Sequence, residues 1–488
     1  MAARVLGAIE AISVEGRTID IKKAAACADV HPSAIFMHEH VGSEPMMEAL
    51  VRLAEYVIGH GLEGEGPHQA ARDLLLRVPP RWAGGGAVRD ETEDALDAAL
   101  RIARLIESDV LPVQGPPGTG KTYTGSRMIA ELVRRGKRVG IVANGHAVVR
   151  NLLDAVIERA DEQGLDLVCA QKPGEKEPDQ PRLRIVGKNA DLVAALRGGC
   201  QVGGGTAWLW SSPEAYEGVD VLFVDEAAQM SLANVLAVAQ AAKAVVLLGD
   251  PRQLDQPMQG SHPEGTDTSA LNHILAGVQT IGPGQGLFLE QTWRLHPSIC
   301  EFTSELFYEG KLRSRPGLEV QAVEGGPATG SGLRYIPVHH VGNQNCSLEE
   351  ANAVADLVRG IVDAGATWID PNGDERLVGL SEILIITPYN AQVYEIQQRL
   401  PGARIGTVDK FQGQEAPIAI YSLATSSHAD APRGMEFLYS LNRLNVATSR
   451  ARCLSYLVCS PAVFEAECRS PRQMQLANAF CRYLEMAG

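Results

Sequence analysis

The stretch GPPGTGKT, residues 115–122, fits G-x-x-x-x-G-K-[ST]; the apolar run VLPVQ precedes it and a helix candidate begins at about Thr122. Gly115, Gly118, Thr119 and Gly120 allow backbone N–H groups to point into a phosphate-sized nest. Lys121 reaches the β- and γ-phosphates, and the Thr122 hydroxyl completes a Mg²⁺ shell. A second apolar run, VLFVDEAAQ, ends in adjacent carboxylates: Asp225 suits the metal and Glu226 the attacking water. A third, LLGDPRQL (247–254), presents Gln253, which could report whether the γ-phosphate is intact. Together these residues describe hydrolysis of a nucleotide with Mg²⁺, whereas a kinase would need a phosphoacceptor pocket that is not identifiable in the sequence; ATP is the nucleotide expected, with ATP against GTP left open.

EQTWRLHP (290–297) has an aromatic beside an arginine but no neighbouring Cys, Ser or second His to complete a nucleophile or metal site. On its own it reads as packing plus a surface ion pair.

The elements that must position these groups follow from the chain's rhythm. At 488 residues two or three domains are expected. From about residue 87, short apolar runs alternate with amphipathic stretches, the pattern of an α/β fold with parallel sheets and helices on both faces. VLPVQ, RVGIVA, VDVLFVDE and AVVLLGD make one series; LRYIPVHH, EILIITPYN, RIGTVD, PIAIYSLA and CLSYLVCS make a second. This predicts one lobe over 87–283, with a polar, proline-broken surface insertion near 155–203, and another over 284–488. Residues 1–86 read as an accessory block. Within it, ISVEGRTIDIK suggests a hairpin, and Met47, Leu50, Ala54 and Val57 recur at helical spacing before Gly59, a C-cap candidate. PPRWAGGG (79–86) reads as a linker. His38 and His40 in MHEHV lack a ligand cluster and read as a polar loop.

Nine scattered cysteines without a C-x-x-C pair fit a reducing compartment and exclude a zinc ribbon. No signal-like or membrane-spanning run is visible, so a cytoplasmic protein with no membrane partner is expected. The net charge of −15 disfavours nonspecific adhesion to polyanions but permits one basic groove.

In order, QGPPGTGKT, VDEAAQ, GDPRQL, TWRLHP, TPYNAQ, TVDKFQGQE and LNVATSRAR resemble superfamily 1 helicases of the group that includes the nonsense-mediated-decay helicase. The likeness covers about residues 87–465; more narrowly, the chain is similar to the helicase half of bacterial proteins in which such a core follows a RecB-like nuclease. The resemblance implies two RecA-like lobes closing on ATP. Gln114 then borders the nucleotide pocket, Trp293 stacks on adenine where the family usually has tyrosine, and Arg294 and Arg450 reach phosphates bound by the first lobe. His296-Pro297 shapes the turn. Gly413 and Glu415 fall among nucleotide contacts. Asn144, His146, Thr206, Thr387, Tyr389, Thr407 and Gln412 fall where family members meet single-stranded DNA or RNA. Two departures stand out: Asn144-Gly145-His146 replaces the family's proline-serine form, and the segment upstream of the P-loop has no adenine-reading glutamine. The residues 1–86 would correspond to a small β-barrel with a helical stalk.

The implied activity is ATP-dependent translocation or unwinding, 5′ to 3′, in DNA repair or nucleic-acid processing, with a separate nuclease as a possible partner. A switch-like ATPase that clamps or remodels a partner with little unwinding remains open. A small-molecule kinase would have no use for two late arginines.

Overall fold

The computed structural model describes residues 6–13, 18–32, 35, 42–83, 87–175, 177–254, 262–263 and 265–488. They fall into two compact units, 1–43 and 44–488. In the first, Gly7–Ser13 and Thr18–Lys23 pair antiparallel with a register shift between Ile9 and Ala11. A 3₁₀ turn at Ala25–Cys27 follows. Among the described residues this is a two-stranded ribbon, with no barrel closed around it. The turn at Glu15-Gly16, and His38 and His40, lie outside the described residues.

The second unit contains both lobes. Its larger sheet has the order Leu287–Phe288, Val110–Gln114, Ala242–Gly249, Val219–Val224, Val139–Val142, Val202–Gly205, Cys169–Gln171, Leu183–Ile185. Every pairing in it is parallel. A strand covered on both faces must be apolar throughout, with alternate side chains entering different cores. In Val219–Val224, Leu222 and Val224 enter one core while Val221 and Phe223 enter the other. The smaller sheet, also parallel, has the order Gly332–Pro337, Ala451–Cys459, Ala416–Ser422, Ile383–Thr387, Arg404–Thr407. Leu384 and Ile386 face one of its cores, Ile383 and Ile385 the other. These are the two RecA-like α/β lobes.

Four expectations need correction. First, residues 155–203 continue the first sheet rather than leave it: they contain the strands Cys169–Gln171 and Leu183–Ile185 and lead into Val202–Gly205. The polarity of QKPGEKEPDQPRLR belongs to the connection between the last two strands at one end of the sheet. VGGG is bare because helices press on it: a Cβ at Gly203 would lie 2.9 Å from Leu192 and one at Gly204 2.6 Å from Val149. Second, the helices Glu44–His60 and Gln69–Leu76 pack on the first lobe, where Met46, Ala49, Leu53, Ala70, Ala71 and Leu74 join the same core as Val235 and Leu236. Third, the first of these helices buries the Met46, Ala49, Leu53 stripe while Met47 is 60 % exposed. It also runs through Gly59, and the left-handed residue after it is Gly61, φ 84°. Fourth, the linker stretch includes a 3₁₀ turn, Arg81–Ala83; residues 84–86 lie outside the described set. The crossover between lobes falls after Leu287–Phe288, which still pairs with the first sheet.

No described helix is long and apolar enough to cross a membrane. All nine cysteines are free thiols.

Candidate active site

The P-loop connects the strand Val110–Gln114 to the helix Lys121–Arg134. Gly118 (φ 73°) and Gly120 (φ 81°) hold left-handed conformations, which turn successive backbone groups to one side and suit an anion nest. A Cβ at Gly115 would lie 2.2 Å from Cγ of Lys121, so the lysine stem packs on bare backbone. Lys121 Nζ donates to the Gly115 carbonyl at 2.7 Å, and Thr119 Oγ1 donates to Pro116 at 2.8 Å, which fixes the loop's shape. Thr122 is in the first turn of the helix, beside this nest.

Asp225 follows the strand Val219–Val224, which lies two places along the sheet from the P-loop strand. Its own Oδ1 accepts from the Glu226 N–H at 2.9 Å. Burial, then the neighbouring Glu226 carboxylate, push Asp225 up to about 7 against the opposing pull of that N–H and of Lys121. A buried carboxylate so disfavoured as an anion is one that a divalent cation would hold ionised. The donor set therefore fits Mg²⁺ held by Thr122, Asp225 and substrate phosphates, since this ion takes few protein ligands and keeps several waters. No cluster of three or more His, Cys, Asp or Glu suited to a metal occurs among the described residues. Glu226 sits at φ 51°, a conformation that costs a side-chain-bearing residue about 1–2 kcal/mol and recurs at functional sites.

Gln253 links the lobes. Its Nε2 donates to Asp250 Oδ2 at 2.9 Å, and its Oε1 accepts from Arg450 Nη2 at 3.1 Å. Arg450, 1 % exposed, also donates to the carbonyls of Val446 and Gln414. Burial, and then the like charge of Arg294, pull its guanidinium down to about 9, which leaves it cationic at neutral pH. Asp250 Oδ2 also accepts from the Tyr308 hydroxyl at 2.6 Å, and Asn445 Nδ2 donates to Tyr308 at 3.0 Å and to the Arg252 carbonyl at 2.7 Å. Burial, then Asp250, hold the Tyr308 phenol well above its ordinary range, so it remains a donor. Tyr308→Phe should lower the unfolding midpoint by the equivalent of about 1.5–3 kcal/mol, the worth of a hydrogen bond to a charged group. An unchanged denaturation curve would show that this latch contributes nothing.

Arg294 lies against the P-loop. A Cβ at Gly118 would come within 2.5 Å of its Cβ and 2.7 Å of Thr292 Oγ1. Thr292 Oγ1 donates to Pro117 at 2.9 Å, and the Trp293 N–H donates to the Gly118 carbonyl at 2.9 Å. Gly118→Ala would strain the backbone and push 291–294 off the loop; the expected result is weakened nucleotide binding and a stability loss of at least about 1 kcal/mol. Isothermal titration and a melting curve check both, and wild-type values would disprove the close docking. The Arg294 guanidinium is buried; its Nε pairs with Glu415 and its Nη1 donates to Ser449 at 3.2 Å. Glu415 also binds Arg452, so burial, which alone would raise its pKa, is outweighed by the two arginines. The structure thus gives Glu415 to two guanidiniums, where a nucleotide contact was expected. Trp293 is 55 % exposed, with the Arg315 guanidinium carbon 4.0 Å from its ring centroid. His296 caps the helix Pro297–Phe307 through Nδ1.

The remaining expected residues divide. Gln114 is 1 % exposed and its amide is engaged on both sides: it donates to the Gln279 carbonyl and accepts from the Ile281 N–H, so its side chain ties down the segment leading to the edge strand. Thr387 is fully buried and Tyr389 is 8 % exposed, which removes both hydroxyls from direct reach of a strand. Asn144 is exposed, with its amide on the Gln229 carbonyl. His146 begins the helix His146–Gln163, half-buried, its pKa lowered by burial and then by Lys172. Thr206, Thr407 and Gln412 are half-buried, and Gly413 is exposed with φ 76°.

A family described as "AAA domain" matches residues 98–267, and a second of the same description matches 273–462. "DNA-binding protein SMUBP-2" of Mesocricetus auratus is 25 % identical over 501 residues, 85 % of this chain and 47 % of the relative. "DNA polymerase alpha-associated DNA helicase A" of Schizosaccharomyces pombe is 25 % identical over 417 residues, 70 % of this chain and 59 % of that one. The order of motifs, the two lobes and these matches agree. The chain belongs to the superfamily 1 helicases. It spans about half the length of the SMUBP-2 relatives it matches. Among solved structures, an arterivirus nonstructural protein 10 helicase aligns over 74 % of this chain and 61 % of its own at 19 % identity, TM-score 0.40.

Sequence reasoning missed Asp250, Asn445 and Arg452, although all three lie inside GDPRQL and LNVATSRAR, the stretches that carried their neighbours. Tyr308 had no such signal: nothing in SELFYEG marks one tyrosine as the bridge between lobes.

Proposed function

We propose that this superfamily 1 member is an ATP-driven motor that tracks single-stranded DNA or RNA and separates duplexes ahead of it, moving 5′ to 3′. The observation that carries the reading is the meeting of second-lobe arginines with first-lobe phosphate machinery: Arg450 on Gln253, and Arg294 against Gly118. A helicase and a DNA-binding protein among the named relatives support the nucleic-acid track.

In this reading Lys121 and the P-loop N–H groups hold the β- and γ-phosphates, and Gln253 faces the γ-phosphate. Glu226 orients water and accepts its proton. Thr122 and Asp225 would hold Mg²⁺, which would supply charge neutralisation at the phosphates. Arg294 and Arg450 stabilise charge on the transferring group, and because they ride on the second lobe, their engagement depends on the cleft's geometry. Phosphate loss then changes what Gln253 and the arginines bind, and the lobes shift along the strand.

The test is strand displacement with duplexes bearing either a 5′ or a 3′ single-stranded tail. Separation of the 5′-tailed duplex alone supports the reading. Displacement only from the 3′ tail reverses the polarity, and ATP hydrolysis with neither displaced would favour an ATP-switched clamp.

A further inference from the structure

The second lobe carries a basic and aromatic cluster that the nucleotide site does not use. Phe437, in the short helix Met435–Leu438, has the Arg433 guanidinium carbon 3.9 Å and the Arg443 guanidinium carbon 4.0 Å from its ring centroid. The Tyr389 ring lies 5.5 Å from the same ring at 39°. Tyr389 follows the strand Ile383–Thr387, and Phe437 belongs to the connection after Ala416–Ser422. Those strands are parallel neighbours, so both connections leave the same edge of the sheet.

The charges point to an anion. Arg433 is exposed and Arg443 partly so, and among the described residues neither guanidinium is paired with a carboxylate. The chain has 59 acidic residues against 44 basic ones, and Glu436 shares the short helix with Phe437, yet no described carboxylate stands within ion-pair distance of either guanidinium. Two like charges held against one ring repel each other, and a polyanion relieves that repulsion. Tyr389 and Thr387 cannot serve as the contact themselves, since both are buried. Tyr389 instead backs Phe437, with its own hydroxyl receiving Thr425 Oγ1 at 3.4 Å.

We propose that Arg433, Phe437 and Arg443 form the second lobe's grip on single-stranded nucleic acid, the guanidiniums taking two backbone phosphates and the ring taking a base or sugar face. The site rests on the motor reading above. Stacking on an aromatic ring is tolerant of sequence, which suits a grip that must release and re-form at every step.

The experiment is fluorescence anisotropy of labelled oligo-dT and oligo-U across a salt series, for wild type, Arg433→Gln/Arg443→Gln, Arg433→Lys/Arg443→Lys and Phe437→Leu, with thermal midpoints as the folding control. Loss of two phosphate contacts should reduce the slope of log affinity against log salt by about 1.4, at about 0.7 per single-strand phosphate. The lysine pair should restore most of that slope, and Phe437→Leu should weaken binding on the order of tenfold with the slope unchanged. A glutamine double variant with wild-type slope and affinity overturns the site while leaving the motor reading intact. Wild type that binds neither oligonucleotide, and whose ATP hydrolysis neither stimulates, removes the motor reading and this site with it. Retained oligonucleotide binding together with lost binding of polyglutamate would reassign the cluster to an acidic protein and overturn the proposal.

Discussion

Arg450→Ala should lower ATP turnover by on the order of 10³, the scale of arginine-finger losses, while nucleotide affinity changes only a few-fold. The asymmetry follows from where the side chain sits. Its Nη2 contacts Gln253, in the turn after the strand Ala242–Gly249 that neighbours the P-loop strand, and its other nitrogens anchor to Val446 and Gln414 within its own lobe. In the proposed reading it is therefore a cation fixed at the site's edge, where charge would develop late, and not part of the nest that would hold ground-state phosphates. Removing so buried a group also strands three acceptors, so Arg450→Lys is the needed companion: it keeps charge but loses the fork, and should recover part of the rate. Single-turnover hydrolysis and a fluorescent nucleotide titration separate the two effects. Loss of binding with unchanged chemistry would assign Arg450 to lobe docking alone.

Glu226→Gln should bind ATP with Mg²⁺ as well as wild type or better, and hydrolyse it about 10²–10⁴ more slowly, the range for a lost general base. The carboxylate repels Asp225, so replacing it relieves the metal site while removing the acceptor for water's proton. Normal turnover would refute the assignment. Because the left-handed backbone at Glu226 is retained by glutamine, a folding defect is not expected.

The parts legible in the sequence were those where chemistry or periodicity is local. Central strands such as Val110–Gln114, Val219–Val224 and Ile383–Thr387 appeared as apolar stretches, because sheets covered on both faces leave no polar alternation to confuse them. Lys121, Asp225 and Gln253 could be named because strand ends and glycine-rich turns mark where a parallel sheet presents side chains; Arg294 and Arg450 came only from the resemblance to superfamily 1 helicases. What failed was long-range. Met46 rather than Met47 faces the core because the first lobe presents its helices there, a fact absent from the helix's own residues. The three glycines of VGGG carry little strand propensity, and the segment stays bare because flanking helices need the room. The resemblance places Gln114 and Thr387 at the site, yet the Gln114 side chain holds the segment before an edge strand and Thr387 lies in the interior. Glu415 sits in a motif-like stretch, but its partners Arg294 and Arg452 come from 121 and 37 residues away. Such pairings are set by the fold and leave no trace in spacing.

The most direct test of the central claim is ATP hydrolysis by the purified chain with and without single-stranded DNA and RNA, at low and moderate salt, with Lys121→Ala as the blank. The account predicts hydrolysis that depends on Lys121 and is strongly stimulated by a single strand, with the stimulation fading as salt rises. Lys121-dependent turnover that neither polymer alters would contradict it, leaving a two-lobed ATPase governed by something other than nucleic acid.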